Sequence, residues 1–202
     1  MNYNKDTSNK ILEAAILEFE EKGYNGARMQ SIADRAGINK ALLHYYYKSK
    51  DTLFQIIIQK AFKVFIPRIV SVFEEEGDIF TLIEKFTRSY IEIYIQNPRV
   101  PGFITQEINN HPERLVNLIK SSGVDIEIFK KKIKQAVDNG EIIDIDPIQL
   151  IVNIISLCLF PFVARPIVTG LILKGEDKDF DKFIEKRKEE VAKFITKAIR
   201  KE

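Results

Sequence analysis

An all-α chain is predicted by three observations. Apolar residues recur at helical spacing of three and four, glycines and X-Pro pairs punctuate them, and no apolar–polar alternation persists long enough for a sheet. The first helix carries Ile11, Leu12, Ala15, Ile16 and Phe19 on one face, with Thr7 or Ser8 as cap, and Gly23 ends it in a left-handed conformation. A second covers Met29 to Ala36 with Ile32 and Ala33 inward. Gly37 breaks it, Ile38 plugs the turn, and a third helix begins at Asn39, whose side chain can cap it, and runs to about Tyr46. Ser49 caps a fourth helix through Leu53, Ile57, Ala61 and Phe65, with a bend allowed at Pro67. Further helices are expected over 79–96, 102–108, 113–120, 124–139, 147–173 and 179–199, with breaks at Gly77, Asn97-Pro98, His111-Pro112, Gly123, Gly140 and Gly175.

Two short helices joined by a glycine-containing turn and preceded by a supporting helix form a helix-turn-helix unit, with Ile11, Ala15, Phe19, Ile32, Ala33, Ile38 and Leu43 as its core. The chain divides into a DNA-binding head, 1–50, and a larger helical body for ligand sensing and dimerisation, 51–202. Hydrophobic residues make up 45% and charged residues 30%, a balance that excludes disordered and fibrous classes. One cysteine, Cys158, rules out a disulfide framework and reads as a buried thiol in a reducing, cytoplasmic setting. The polar stretch 1–10 has no signal-peptide core. The most apolar run, 148–173, is interrupted by Asn153, Pro161, Arg165 and Pro166, so no membrane span is expected.

Net charge is only +2, but its distribution is uneven. Arg28, Arg35, Lys40, Lys48 and Lys50 face a single acid, Asp34, between positions 28 and 50, whereas the preceding helix carries Glu13, Glu18, Glu20 and Glu21. A local positive patch on a nearly neutral body suits contact with phosphates through one face. The start of the third helix can enter a major groove. There Lys40 can donate to guanine or to a phosphate, Asn39 can cap or contact, and Ala41 is small enough to touch a thymine methyl. His44 is a further contact, Tyr45 and Tyr46 offer hydroxyls to phosphates and rings to sugars, and Tyr47 is assigned to the core. Lys48 and Lys50 flank the next helix start, whose free N–H groups suit a phosphate, and Arg28 and Gln30 open the second helix as base or backbone contacts.

The last helix has an apolar stripe, and beside it 148–173 has more apolar surface than one partner helix covers. A four-helix homodimer interface built from 147–173 and 179–199 is therefore expected. The fourteen phenylalanines favour an apolar or amphipathic effector. Phe62, Phe65, Phe86, Tyr90, Tyr94, Phe103, Phe129, Phe160 and Phe162 are candidates to line its pocket. An enzyme is not expected, nor a metal or cofactor. The two histidines are His44 and His111, and the latter, though near Glu107 and Glu113, has no second histidine or cysteine ligand close by.

The stretch GYNGARMQSIADRAGINKALLHYYYKSKDTLF, Gly23 to Phe54, resembles the signature of the TetR family of transcriptional regulators. The resemblance rests on the aromatic after Gly23, Ile32-Ala33, Ala36-Gly37-Ile38, Leu43, Tyr47, Ser49-Lys50 and Leu53-Phe54. It implies homodimers binding double-stranded palindromic operator DNA, a pocket enclosed mainly by the middle helices, and a dimer interface on the last two long helices. The family's recognition-helix lysine falls at Lys40 and its phosphate-contacting lysine at Lys50. His44 stands at a common tyrosine, Tyr46 at a common histidine, and Leu42 at a small or hydroxylated residue. The Ser or Thr that usually caps the second helix is missing, since Ala27, Arg28 and Met29 stand there. In the body, NGEIIDIDPIQL, Asn139 to Leu150, resembles the loop and helix start before the first dimerisation helix. A repressor released from its operator by a small molecule is the expected function.

Overall fold

The computed structural model describes the backbone of residues 3–98 and 100–201, and their side chains except 3–5, 64–65 and 73–74. Two units divide the chain. One holds residues 1–63 with 102–115, the other 64–101 with 116–202.

The first unit contains α1 (Tyr3–Gly26), α2 (Met29–Arg35), α3 (Lys40–Tyr46) and the start of α4 (Lys50–Glu74). Most of α6 (Val100–Asn110) and the beginning of α7 (Pro112–Ser121) belong to it as well. Gly23 interrupts α1 at φ +65°, and Gly37 turns the chain from α2 to α3 at φ +68°, a region that a Cβ makes costly. The Gly37 N–H donates to Asp34 and the Ile38 N–H to Ala33, which closes the end of α2. Ile11, Ala15, Phe19, Ile32, Ala33 and Leu43 are buried as their spacing requires, together with Tyr47, Leu53 and Phe54. Each such side chain contributes about 1.5–3 kcal/mol of transfer free energy. Asn39 Oδ1 accepts from Leu42 N at 2.7 Å, and Ser49 Oγ from Thr52 N at 3.0 Å, so both expected caps form.

The second unit contains α5 (Ile79–Gln96), α8 (Ile126–Asp138), α9 (Pro147–Val163), α10 (Arg165–Ile167), a π-helical turn (Val168–Ile172) and α11 (Asp177–Ile199). Asp78, Asp125 and Asp146 cap α5, α8 and α9. The core joins Ile83, Phe86 and Ile91 of α5 to Ile133, Leu150, Ile154, Cys158, Phe180, Ile184, Val191 and Ile195. Across α5 and α11, Lys188 Nζ is bonded to Glu92 and Glu185. The one isolated β-bridge among the described residues links Ile142 to Arg200.

The stretch 147–173, expected as one helix, is not one. Ala164 leaves helical geometry at φ −96°, ψ 21°, and the segments before and after it meet at 70°. Pro166 explains the break, because it has no N–H to donate to the Phe162 carbonyl four residues earlier and its ring crowds that carbonyl, so one helix ends and the next starts with the proline in its first turn. Arg165 holds the corner. Its guanidinium pairs with Asp177 at 3.0 Å and lies over the Phe180 ring at 4.5 Å. Among the described residues no single helix is long and apolar enough to cross a membrane.

Pro161 leaves a second mark within α9. A proline cannot donate to the carbonyl four residues earlier, here Leu157. Arg187 of α11 supplies the missing donor twice, from Nε at 3.1 Å and Nη2 at 2.9 Å. Burial lowers the Arg187 pKa, and no described carboxylate pairs with it.

Candidate nucleic-acid interface

The turn between α2 and α3 is closed by backbone bonds at the end of α2 and by the Asn39 cap at the start of α3. Leu43 and Tyr47 anchor α3 inward, and the Tyr47 hydroxyl bonds to Ser8 Oγ at 2.7 Å. The opposite face of α3 is therefore presented to solvent: Lys40, Ala41, Leu42, His44 and Tyr45 are exposed, and Tyr46 is half-buried with its ring edge-on to Tyr45. Arg28, Gln30, Asn39 and Lys48 are exposed or half-exposed around them. All ten residues expected to contact DNA thus belong to one unit, on or beside α2, α3 and the start of α4.

Several of these side chains also have work inside the unit. Gln30 Nε2 donates to Asp34 at 2.7 Å, and His44 Nδ1 lies 3.2 Å from the Lys48 carbonyl. Lys50 donates to the carbonyls of Tyr24 and Ala27 at 2.7 and 3.1 Å, with its ammonium 4.6 Å from the Tyr24 ring centroid. It therefore satisfies carbonyls at the end of α1.

The start of α2 lacks a hydroxyl cap but is tied to α1 by a carboxylate that sequence reasoning overlooked. Arg28 stands at the N-cap without a side-chain bond. Glu18 of α1, only 1% exposed, reaches across instead: its carboxylate accepts from the Arg28 N–H and the Ser31 hydroxyl, and from Lys22 Nζ at 2.9 Å. Arg35 lies 3.6 Å from the same carboxylate. Burial works to raise the Glu18 pKa, but these bonds outweigh it and hold the carboxyl below its ordinary value. The residue pattern does carry a signal. Glu18 interrupts the apolar face made by Ile11, Ala15 and Phe19, and a carboxylate there needs a partner.

The start of α4 is held from α7. Arg114 Nη1 donates to Asp51 Oδ1 at 2.6 Å, the Tyr24 hydroxyl donates to the same oxygen at 3.3 Å, and Gln55 Nε2 donates to Oδ2 at 3.1 Å. Glu107 is buried nearby, and that burial raises its pKa. His111 and Glu113 are 3.9 Å apart, and no group of three metal-binding side chains occurs among the described residues.

The aromatic residues expected to line a pocket are divided. Phe86, Tyr90, Tyr94, Phe129 and Phe162 form a continuous cluster in the second unit, with successive ring centroids 5.0 to 6.2 Å apart. Tyr94 donates to the Tyr90 hydroxyl at 3.0 Å, and burial pushes the Tyr90 phenol up to about 12. Phe62 and Phe103 are buried residues of the first unit, where Phe103 packs edge-on to Phe54. Phe160 is not in the cluster, because it is 59% exposed on the outer face of α9. The side chain of Phe65 lies outside the described residues.

That outer face is apolar. Val152, Phe160 and Val163 are exposed at helical spacing, followed by Ile167 and Leu171, and Phe194 of α11 is 65% exposed.

Two short helices joined by a glycine turn, with the outward face of the second open to solvent beside exposed lysines, have the geometry of a helix-turn-helix head. Residues 11–66, the helix-turn-helix head and the start of α4, match the family described as bacterial regulatory proteins, tetR family. The chain is similar to the biofilm operon icaADBC HTH-type negative transcriptional regulator IcaR of Staphylococcus epidermidis. The two are 28% identical over 113 residues, 52% of this chain and 61% of that protein. It is 26% identical over 142 residues to the HTH-type transcriptional regulator RutR of Escherichia coli K12, 70% of this chain and 66% of that one. The chain thus spans less than two thirds of the length of these relatives. The ketosteroid transcriptional regulator KstR2 of Mycobacterium tuberculosis shares the fold, with a TM-score of 0.73 over 96% of this chain and 95% of that one at 14% identity.

Proposed function

We propose that the chain is a ligand-responsive repressor that binds a palindromic operator as a homodimer and is released by an apolar or amphipathic small molecule. The observation that carries the DNA-reading part is the exposed face of α3, with Lys40 open to solvent at its N-terminal end and Leu43 and Tyr47 locked inward. Lys40 reads a base edge, assisted by Ala41, His44 and Asn39. Tyr46, Lys48 and the remaining donor of the Lys50 ammonium hold phosphates and sugars, Tyr45 enters the groove beside them, and Arg28 and Gln30 contact the backbone or an adjacent base. Repression is supported by the likeness to IcaR, a negative regulator.

The test is selection from a random double-stranded DNA library. The parent protein enriches a palindrome. Lys40→Ala weakens binding by roughly tenfold to a hundredfold and relaxes one position of each half-site, since a good base contact is worth about 1–3 kcal/mol. Lys48→Ala weakens all sequences alike and lowers the salt slope by about one. Equal specificity of the parent and Lys40→Ala would remove Lys40 from base reading.

The dimer is built on α9 and α11, and the exposed apolar stripe Val152, Phe160, Val163 with Phe194 supports this. Phe160 therefore belongs to the interface in this reading, and the effector pocket rests on Phe86, Tyr90, Tyr94, Phe129 and Phe162. In this reading an effector alters the reading heads through α4, which, like α6 and α7, runs from one unit into the other and also follows directly on α3. Phe160→Asp combined with Phe194→Asp yields a monomer by sedimentation, with intact helical circular dichroism and no binding to the palindrome. A dimer that survives both charges would place the interface elsewhere.

A further inference from the structure

The polar side chains around the recognition helix are largely committed within the head, and what α3 leaves open is mostly apolar. Asn39 Oδ1 is held by the Leu42 N–H, Gln30 by Asp34, His44 Nδ1 by the Lys48 carbonyl, and Lys50 by two carbonyls. Leu42 is 37% exposed and Tyr45 80% exposed, beside an exposed Ala41. Tyr45 lies three residues from Leu42 and four from Ala41, so the three side chains share one side of the helix. They lie away from the core of the head, which Leu43 and Tyr47 supply from the opposite side.

Lys40 and Lys48, both exposed, bracket this apolar surface and match the phosphates that line a groove. In the major groove, thymine presents a distinctly apolar feature, its C5-methyl group, while guanine, adenine and cytosine offer donors and acceptors. We propose that Leu42 and Tyr45, with Ala41, are specificity-determining residues that read thymine methyl groups, so that each operator half-site contains at least one thymine whose methyl is needed for tight binding. The inference rests on the DNA-reading function proposed above and adds the chemistry by which the half-site is chosen. Lys40 supplies the polar contact beside it, and the apolar triad adds discrimination by methyl contact.

The experiment replaces thymine by deoxyuridine in the selected operator, one symmetric pair of positions at a time, and measures affinity. Uracil keeps every hydrogen-bonding group and removes the methyl alone. For the parent, affinity falls roughly fourfold per contacted methyl and so roughly sixteenfold for the symmetric pair, the worth of one buried methylene in each half-site. Leu42→Ala binds the thymine and uracil operators alike at the position it reads, and Tyr45→Ala does so at its own. Tyr45→Phe keeps the discrimination, because the ring and not the hydroxyl meets the methyl. Both side chains are exposed, and unchanged circular dichroism verifies that the variants are folded. Equal affinity of the parent for thymine and uracil at every position overturns the inference while leaving DNA reading intact. A parent that selects no operator at all overturns both.

Discussion

Glu18→Ala is expected to remove about 2 kcal/mol from the stability of the head, although residue 18 is not among the residues proposed to contact DNA or effector. That figure is the loss of hydrogen bonds to a buried charge. The Lys22 pair adds little, because the Lys22 side chain is 47% exposed and its ammonium returns to water. The orphaned Arg28 N–H and Ser31 hydroxyl carry the effect. Hydrogen exchange over residues 28–36, measured with urea unfolding of the whole chain, reports it directly. Arg28→Ser in the Glu18→Ala background restores about 1 kcal/mol by giving α2 a local cap.

The same carboxylate sets a pH dependence. The folded pKa of Glu18 is depressed, so its stabilisation is fully present above the ordinary glutamate value of 4.5 and is lost as pH falls through the lower folded value. Acidification across that window weakens the parent more steeply than Glu18→Ala. Identical pH slopes, or an α2 that exchanges no faster in the variant, would show that Glu18 is a passive surface acid.

Arg187→Leu is the second large effect, at about 2 kcal/mol, and its diagnostic feature is its dependence on a proline. The leucine keeps apolar contact with Phe183 but leaves the Leu157 carbonyl without a donor. In the Pro161→Ala background the new N–H of residue 161 serves that carbonyl, and Arg187→Leu becomes nearly neutral. A coupling of about 1–2 kcal/mol in the double-mutant cycle is expected from urea unfolding. Equal costs of Arg187→Leu in the two backgrounds would mean that the arginine acts by packing alone.

Most of the reading head is legible in the amino-acid sequence. Gly23 and Gly37 adopt the left-handed conformations their positions suggest, Asn39 and Ser49 cap the helices they precede, and Tyr47 faces inward. These are local properties, governed by steric limits on φ and by a side chain reaching its own next turn. The body is less legible. Its apolar segments announce the helices but not the 70° bend after Val163, because proline signals of equal strength at 161 and 166 have different outcomes. At Pro161 a distant arginine serves the freed carbonyl and the helix continues, whereas the chain turns at Pro166.

The all-helical class, the helix-turn-helix and the side of α3 that faces water are written into the order of residues, since each follows from periodicity and turn chemistry within a few positions. Three-dimensional packing was needed to bring Glu18 to the start of α2, to commit the Lys50 donors to α1, and to set Phe160 apart from the aromatic cluster. Those outcomes depend on which donor reaches which acceptor across more than ten residues of chain, or on which face of a helix finds a partner. A buried charge or an open carbonyl states a need in the sequence, and the packing of another helix determines what meets it.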